Sequence, residues 1–194
     1  MELSGNKKDG SILVIGCFHG DEPQGKFLIE AYLEKKARTN LLFIPCLNEY
    51  GFNHNTRTNE NGVDLNRNFP TSNWEKTERN EFFGGESPAS ERQTQFIIDT
   101  VTKYNPSLIL TLHAPFKVVN FDGDALDISK KISDLTGYPV QESIGYPTPG
   151  SFGTWAGIER KIPTVTLELD EEVDIEQLKE PVFEIFELLE NYKR

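Results

Sequence analysis

The 194-residue sequence predicts an α/β fold, a single domain with a mostly parallel or mixed central sheet flanked by helices. Three observations lead there. Short continuous apolar runs recur at 11–18, 41–47, 108–112 and 164–169, as strands buried on both faces require. Segments of helical period stand between and after them. The chain also opens in the order strand, loop, helix, strand, which favours parallel pairing through a crossover. The predicted domain covers residues 1–194.

The run SILVIGCF at 11–18 is the first strand. Pro23 then stands where a first helical turn tolerates proline, and Phe27, Leu28, Ala31 and Tyr32 keep a helical period over 24–36. The run at 41–47 is the second strand. Residues 48–86 are polar and rich in Asn, Gly, Arg and Thr. A loop of that length inside a compact domain is usually functional or disordered, and the interruption VDLNRNFP favours an ordered, functional segment. Ser87 and Pro88 offer a cap and a first-turn proline for a helix reaching Tyr104, with Phe96, Ile97 and Val101 on one face. The strand at 108–112 hands over to His113. Residues 117–121 read as an edge strand, 124–136 as a helix stopped by Gly137, and 141–157 as a second loop, rich in Gly and Pro. The strand at 164–169 carries Glu168. A terminal amphipathic helix over 175–192 turns Leu178, Val182, Ile185, Phe186 and Leu189 inward.

Composition narrows the partners. With 37% hydrophobic and 26% charged residues the chain is a soluble globular protein rather than a disordered one. A net charge of -11 argues against nucleic acid, which needs clustered Lys and Arg. It leaves room for an anionic small molecule held by one buried Arg. No apolar run approaches the roughly 20 residues of a membrane helix, and MELSGNKKDG lacks a signal-peptide core, so the expected location is cytoplasmic with no membrane partner. Cys17 and Cys46 lie in apolar runs and read as buried free thiols; a disulfide across neighbouring strands is the alternative.

His19, His113 and Glu168 fall at the C-terminal ends of three separate strands, the edge where open α/β sheets bind ligands. His19 and Glu22 are three apart across a turn, and His113 offers a third donor. Two His and one Glu, with a fourth position for water, form a recurring catalytic zinc set. An HxxE pair by itself is more often a solvated surface pair, and a lone His more often a satisfied core residue. Concurrence at three strand ends tips the balance toward a metal. Glu168, between Leu167 and Leu169, is costly to bury unless it is paired or coordinating. Asp21 is either plain turn chemistry or a partner that orients His19. His54, in the polar loop, is the weakest candidate among the histidines.

HGDE at 19–22, GVDLNRNFP at 62–70, SPASERQT at 87–94, TLHA at 111–114, GSFGTW at 150–155 and TLEL at 166–169 resemble, in this order, the zinc carboxypeptidases of the carboxypeptidase A type. Each piece is weak alone. The runs TRTNENGVDLNRNFP and YPTPGSFGTWAG look like the short bacterial branch of that family, the murein-peptide amidases. The resemblance implies a zinc-carboxypeptidase-like fold and one Zn2+ per chain, bound by His19, Glu22 and His113. It implies Glu168 as general base, Asn66 and Arg67 as holders of a substrate carboxylate, Arg57 at the scissile carbonyl, and Tyr146 as a cover over the bound substrate. The implied substrate is a small peptide with a free carboxylate, L-Ala-γ-D-Glu-meso-diaminopimelate, losing diaminopimelate. Gly153 and Thr154 stand near where the digestive enzymes carry selective side chains, so apolar or basic dietary specificities are not expected. Asp122, Glu142 and Asp170 are all candidates to meet an amine on the substrate. Two other readings stay open: an N-acyl amino acid hydrolase of the succinylglutamate desuccinylase or aspartoacylase kind, and a non-catalytic domain that binds muropeptides.

Overall fold

The computed structural model describes residues 1–36, 38–142 and 145–192. Its strands are β1 (Ser4–Gly5), β2 (Leu13–Ile15), β3 (Leu42–Ile44), β4 (Ile109–His113), β5 (Val118–Asp122), β6 (Val140–Gln141) and β7 (Thr164–Glu168). Its helices are α1 (Gln24–Lys35), α2 (Glu49–His54), α3 (Arg92–Tyr104), α4 (Leu126–Thr136) and α5 (Ile175–Glu190). The strands form one mixed sheet in the order β1-β3-β2-β4-β7-β5-β6. The middle, β3-β2-β4-β7, is parallel throughout, so β2, β4 and β7 deliver their C-terminal ends to one edge. β5 joins β7 antiparallel.

Side chains alternate between the two faces of a strand, and this chain uses the two faces differently. Val14, Phe43, Leu110, Leu112, Val165 and Leu167 point into a core shared with Leu28, Ile29 and Tyr32 of α1, Ile128 and Ile132 of α4, and Val182, Ile185 and Phe186 of α5. Leu13, Ile15, Leu42, Ile44 and Ile109 point to the other side, where Ile97 and Val101 of α3 meet Phe18, Phe69, Phe152 and Trp155. Thr111, His113, Thr166 and Glu168 share that second face at its polar end.

The long polar stretch is ordered by asparagines that stand in for backbone partners. Asn59 Oδ1 accepts from the N–H groups of Asn61 and Val63, each at 3.0 Å. Buried Asn68 donates to the Gly84 and Ser87 carbonyls at 2.7 and 3.1 Å and accepts from Glu91 N–H at 3.2 Å. Such side chains satisfy a loop that cannot form a ladder of its own.

Several expected boundaries move. α3 starts at Arg92, with Glu91 rather than Ser87 in the cap position. Ala89 takes a left-handed φ of 55°, and its N–H donates to the Asn68 carbonyl at 2.6 Å, so residues 85–91 close over the 62–70 segment instead of winding into helix. The strand expected at an edge, now β5, is interior, because β6 pairs outside it. The polar stretch contains α2 and a 3-10 turn at Leu65–Arg67, and the Gly/Pro-rich loop ends in a π-helical turn, Thr154–Glu159. Cys17 and Cys46 are buried free thiols. Among the described residues, no helix is long and apolar enough to cross a membrane.

Candidate metal centre and active site

β2 stops where Cys17 takes a left-handed φ of 53° and turns the chain out of the sheet. Phe18 then stacks on the His113 ring at 5.3 Å, and His19 emerges beside it, ring centroids 5.0 Å apart. Gly20 lets this loop press against α2: a Cβ there would stand 1.9 Å from the Gly51 carbonyl carbon. Glu22 sits just before α1 and faces back to both imidazoles. Its Oε1 lies 2.7 Å from His19 Nδ1, and its Oε2 lies 2.9 Å from His113 Nδ1. One ligand atom from each of His19, Glu22 and His113 falls within 4.8 Å of the others. All three residues are at least nine-tenths buried.

The donor set fits a zinc ion. Zinc takes His nitrogen and carboxylate oxygen, and a ligating His commonly gives its other ring N–H to a carboxylate. His19 Nε2 lies 3.1 Å from Asp64 Oδ1, which leaves Nδ1 on the side of Glu22 and His113. Asp64 is fully buried and also accepts from Arg57 Nε and Nη2 at 3.0 and 2.9 Å. Burial opposes charge on His19, yet Glu22 and Asp64 outweigh it and hold the imidazole at about 9. Burial works against Glu22 and Asp64 too, but His19 draws both below the usual carboxylate range. Burial lowers His113. The centre is thus electrostatically arranged around positive charge.

Glu168 faces His113 across the β4–β7 ladder. Among the described residues, its Oε2 is buried without a hydrogen-bond partner. Burial, and after it the charge of Glu22, push its carboxyl up to about 8. A carboxylate so placed is poised to exchange protons near neutrality.

The expected substrate-binding residues come to the same cavity, of about 390 Å3, lined by His19, Glu22, Arg57, Asn66, Arg67, His113, Tyr146 and Glu168 among others. Arg67 is almost wholly buried, and its Nη1 donates to the Asn66 carbonyl at 2.7 Å. No carboxylate pairs with it among the described residues. Asn66 Oδ1 accepts from Phe152 N–H at 2.8 Å, which leaves the amide nitrogen free to donate. Arg57 is tied to Asp64, with Nη1 3.5 Å from Glu22 Oε1. Tyr146 is exposed at the rim, beside residues 143–144, which lie outside the described ones.

Asp21 and His54 both stay out of the centre, in keeping with turn chemistry for the first and with the second as the weakest candidate among the histidines. Asp21 is exposed and does not orient His19; Asp64 holds that place. His54 lies outside the cavity, exposed, stacked on Tyr50 with centroids 4.1 Å apart. Asp64 is not among the site residues the sequence predicts, although it sits in GVDLNRNFP between Val63 and Leu65. A carboxylate among apolar neighbours was the signal that singled out Glu168, and it applied equally here.

A relative from Vibrio campbellii called murein peptide amidase A is 30% identical over 177 residues, covering 81% of this chain and 68% of that protein. The chain belongs to the murein peptide amidase A family. Escherichia coli K12 has a member 29% identical over 158 residues, covering 74% of this chain; the match spans 64% of that protein's length. The solved murein-tripeptide amidase of Escherichia coli O157 superposes with a TM-score of 0.86 at 25% identity, covering 96% of this chain and 84% of that one. Carboxypeptidase A of Helicoverpa armigera, 17% identical with a TM-score of 0.72 over 93% of this chain and 59% of that one, shares the fold. The zinc-carboxypeptidase architecture read from the motifs is therefore that of this amidase family. A family described as a protein of unknown function (DUF2817) also matches residues 13–93, the stretch that carries His19, Glu22, Arg57, Asp64 and Arg67.

Proposed function

We propose that the chain is a zinc-dependent hydrolase of the amide bond preceding a C-terminal residue with a free carboxylate. Its proposed substrate is the murein tripeptide L-Ala-γ-D-Glu-meso-diaminopimelate, from which it releases diaminopimelate. The observation that carries the reading is convergence in one cavity. Three metal-type donors face the same space as a carboxyl oxygen and a nearly buried guanidinium that, among the described residues, have no hydrogen-bond partner and no carboxylate partner respectively. The names of the amidase relatives point to a murein peptide or tripeptide as the substrate class.

Zinc held by His19, Glu22 and His113 would supply Lewis acidity, polarising a carbonyl and bringing the pKa of a water toward about 7. Glu168 takes the proton of the attacking water and passes it to the leaving amine. Arg57 keeps Nη1 on the metal side of the cavity and donates to the developing oxyanion, a contribution of about 3 kcal/mol for one well-placed donor. Arg67 presents a planar fork to the terminal carboxylate, and the Asn66 amide adds a neutral donor. Fixing that carboxylate at a set distance from the metal makes the enzyme act at chain ends. Asp64 holds His19 and Arg57 in register from beneath.

The test is a peptide assay by chromatography. Zinc-loaded protein should release diaminopimelate from the tripeptide, lose that activity to a chelator, recover it with added zinc, and scarcely cut the C-terminally amidated tripeptide. Equal cleavage of free and amidated peptides would remove Arg67 from carboxylate recognition. Cleavage of N-acyl amino acids alone would replace the murein assignment with the desuccinylase-like one.

A further inference from the structure

The chain has two cysteines, and neither takes part in the chemistry proposed for the cavity. The fold brings them together just behind the metal donors. β2 and β3 run parallel with Ile15 opposite Ile44, and the two segments stay side by side past the strand ends. Gly16 N–H donates to the Ile44 carbonyl at 2.9 Å, and Asn48 N–H donates to the Cys17 carbonyl at 3.0 Å. The Cys17 and Cys46 thiols meet there and share a hydrogen bond. Both are free. Thiols already in contact need only close the gap to the S–S length of about 2.05 Å.

Cys17 belongs to the turn that carries two of the three donors. Its S–H donates to the His19 carbonyl oxygen at 3.5 Å, and the same oxygen accepts from Glu22 N–H at 3.3 Å. One acceptor thus ties the thiol to the backbone of both His19 and Glu22. Cys17 also holds a left-handed φ of 53°, a conformation that favours glycine, so the backbone gains nothing from a side chain here. The surroundings leave no slack. A Cβ on Gly16 would stand 2.6 Å from the Pro45 carbonyl oxygen and 2.8 Å from the Gly25 carbonyl carbon. A disulfide sulfur carries no hydrogen, so closing the pair removes the donor from the His19 carbonyl and draws Cys17 toward Cys46. With the strand ends and the start of α1 already in contact, the turn at 17–22 is what must adjust. Cys17 is fully buried, whereas Cys46 keeps 6% exposure beside the charged Lys26, Glu30 and Glu49, so Cys46 is the sulfur a reagent reaches first.

We infer that Cys17 and Cys46 are a site of reversible oxidation, closed by a low-molecular-weight disulfide, and that closure loosens the His19–Glu22 turn and its hold on a metal. The Cys46 thiol gives up its proton and attacks one sulfur of the small disulfide, releasing one thiol and leaving a mixed disulfide on Cys46. The Cys17 sulfur gives up its proton in turn and displaces the second thiol. Two protein S–H bonds and one small-molecule S–S bond become one protein S–S bond and two small-molecule S–H bonds. The protein is oxidised by two electrons and the small disulfide is reduced by two. Only the accompanying loss of turnover rests on the hydrolase reading; the oxidation and its effect on the metal do not.

The test equilibrates zinc-loaded wild type with oxidised and reduced glutathione at a series of ratios. Samples are quenched by alkylation and mapped by mass spectrometry without reduction, zinc transfer to a colorimetric chelator is timed, and cleavage of the murein tripeptide is followed. Oxidising ratios should give a Cys17–Cys46 cross-linked peptide and a protein lighter by two hydrogens. Zinc transfer should quicken by about 10- to 100-fold, the range for losing a group that supports a metal ligand, and turnover should fall with it. Dithiothreitol should reverse all three changes. Cys46→Ala should keep its zinc and its turnover at every ratio. Both thiols alkylated in full at the most oxidising ratio, or glutathione held on Cys46 with no cross-link, would overturn the site. A cross-link that leaves zinc transfer unchanged overturns its effect on the metal, as does zinc loss from Cys46→Ala that matches wild type. The wild-type measurements decide even if the variant folds poorly. A cross-link with faster zinc transfer in a protein that cuts no peptide upholds the inference and overturns the hydrolase reading.

Discussion

β4 and β7 belong to two environments at once. On one face, Leu110, Leu112, Val165 and Leu167 are dry and packed beneath α1 and α5. On the other, Thr111, His113, Thr166 and Glu168 line the cavity. The same ladder of paired residues serves both, Leu112 opposite Leu167 and His113 opposite Glu168. A strand that alternates sides residue by residue fixes a functional group as firmly as the core behind it, because a one-residue slip would turn the histidine into the apolar core and the leucine into the cavity. Stability and chemistry are separable side chains on a shared backbone, and substitutions can separate them.

The largest effect should come from the cavity face. Glu168→Gln keeps size and polarity but cannot accept a proton, so kcat should fall by about 10^2- to 10^4-fold while the fold keeps its stability. A variant that keeps wild-type turnover would take the base role from Glu168. The core face should give the opposite signature. Leu110→Ala removes a fully buried side chain and should cost about 2–5 kcal/mol in denaturant unfolding, with turnover per folded molecule little changed. Lost turnover at full stability in this variant would break the division between the faces.

A smaller effect concerns pH. In the metal-free protein Glu168 is raised from its ordinary 4.5 to about 8. An acid raised on folding favours the folded state at low pH and loses that contribution as pH rises through the folded value. Between pH 4.5 and 8, metal-free wild type should lose at most a few kcal/mol relative to metal-free Glu168→Gln. Parallel pH profiles for the two proteins would mean that Glu168 is ionised in the fold throughout.

Much of this division is legible in the sequence, because it is local. Short continuous apolar runs placed β2, β3, β4 and β7, and His19, His113 and Glu168 at or beyond their ends. What depends on pairing across the chain was not legible. β6 has two residues, too short for a pattern, so β5 passed for an edge. Ser87 and Pro88 carry a helix-start signature, but Asn68, nineteen residues away from Ser87, claims that segment for the loop it closes. Asp64 gains its meaning from His19, 45 residues away.

The metal content of three proteins tests the ligand set most directly. Wild type and Glu168→Gln should each bind close to one zinc ion per chain, and His113→Ala should bind well below that. Zinc retained in full by His113→Ala would remove His113 from the ligand set, and zinc lost from Glu168→Gln would make Glu168 a ligand rather than the base.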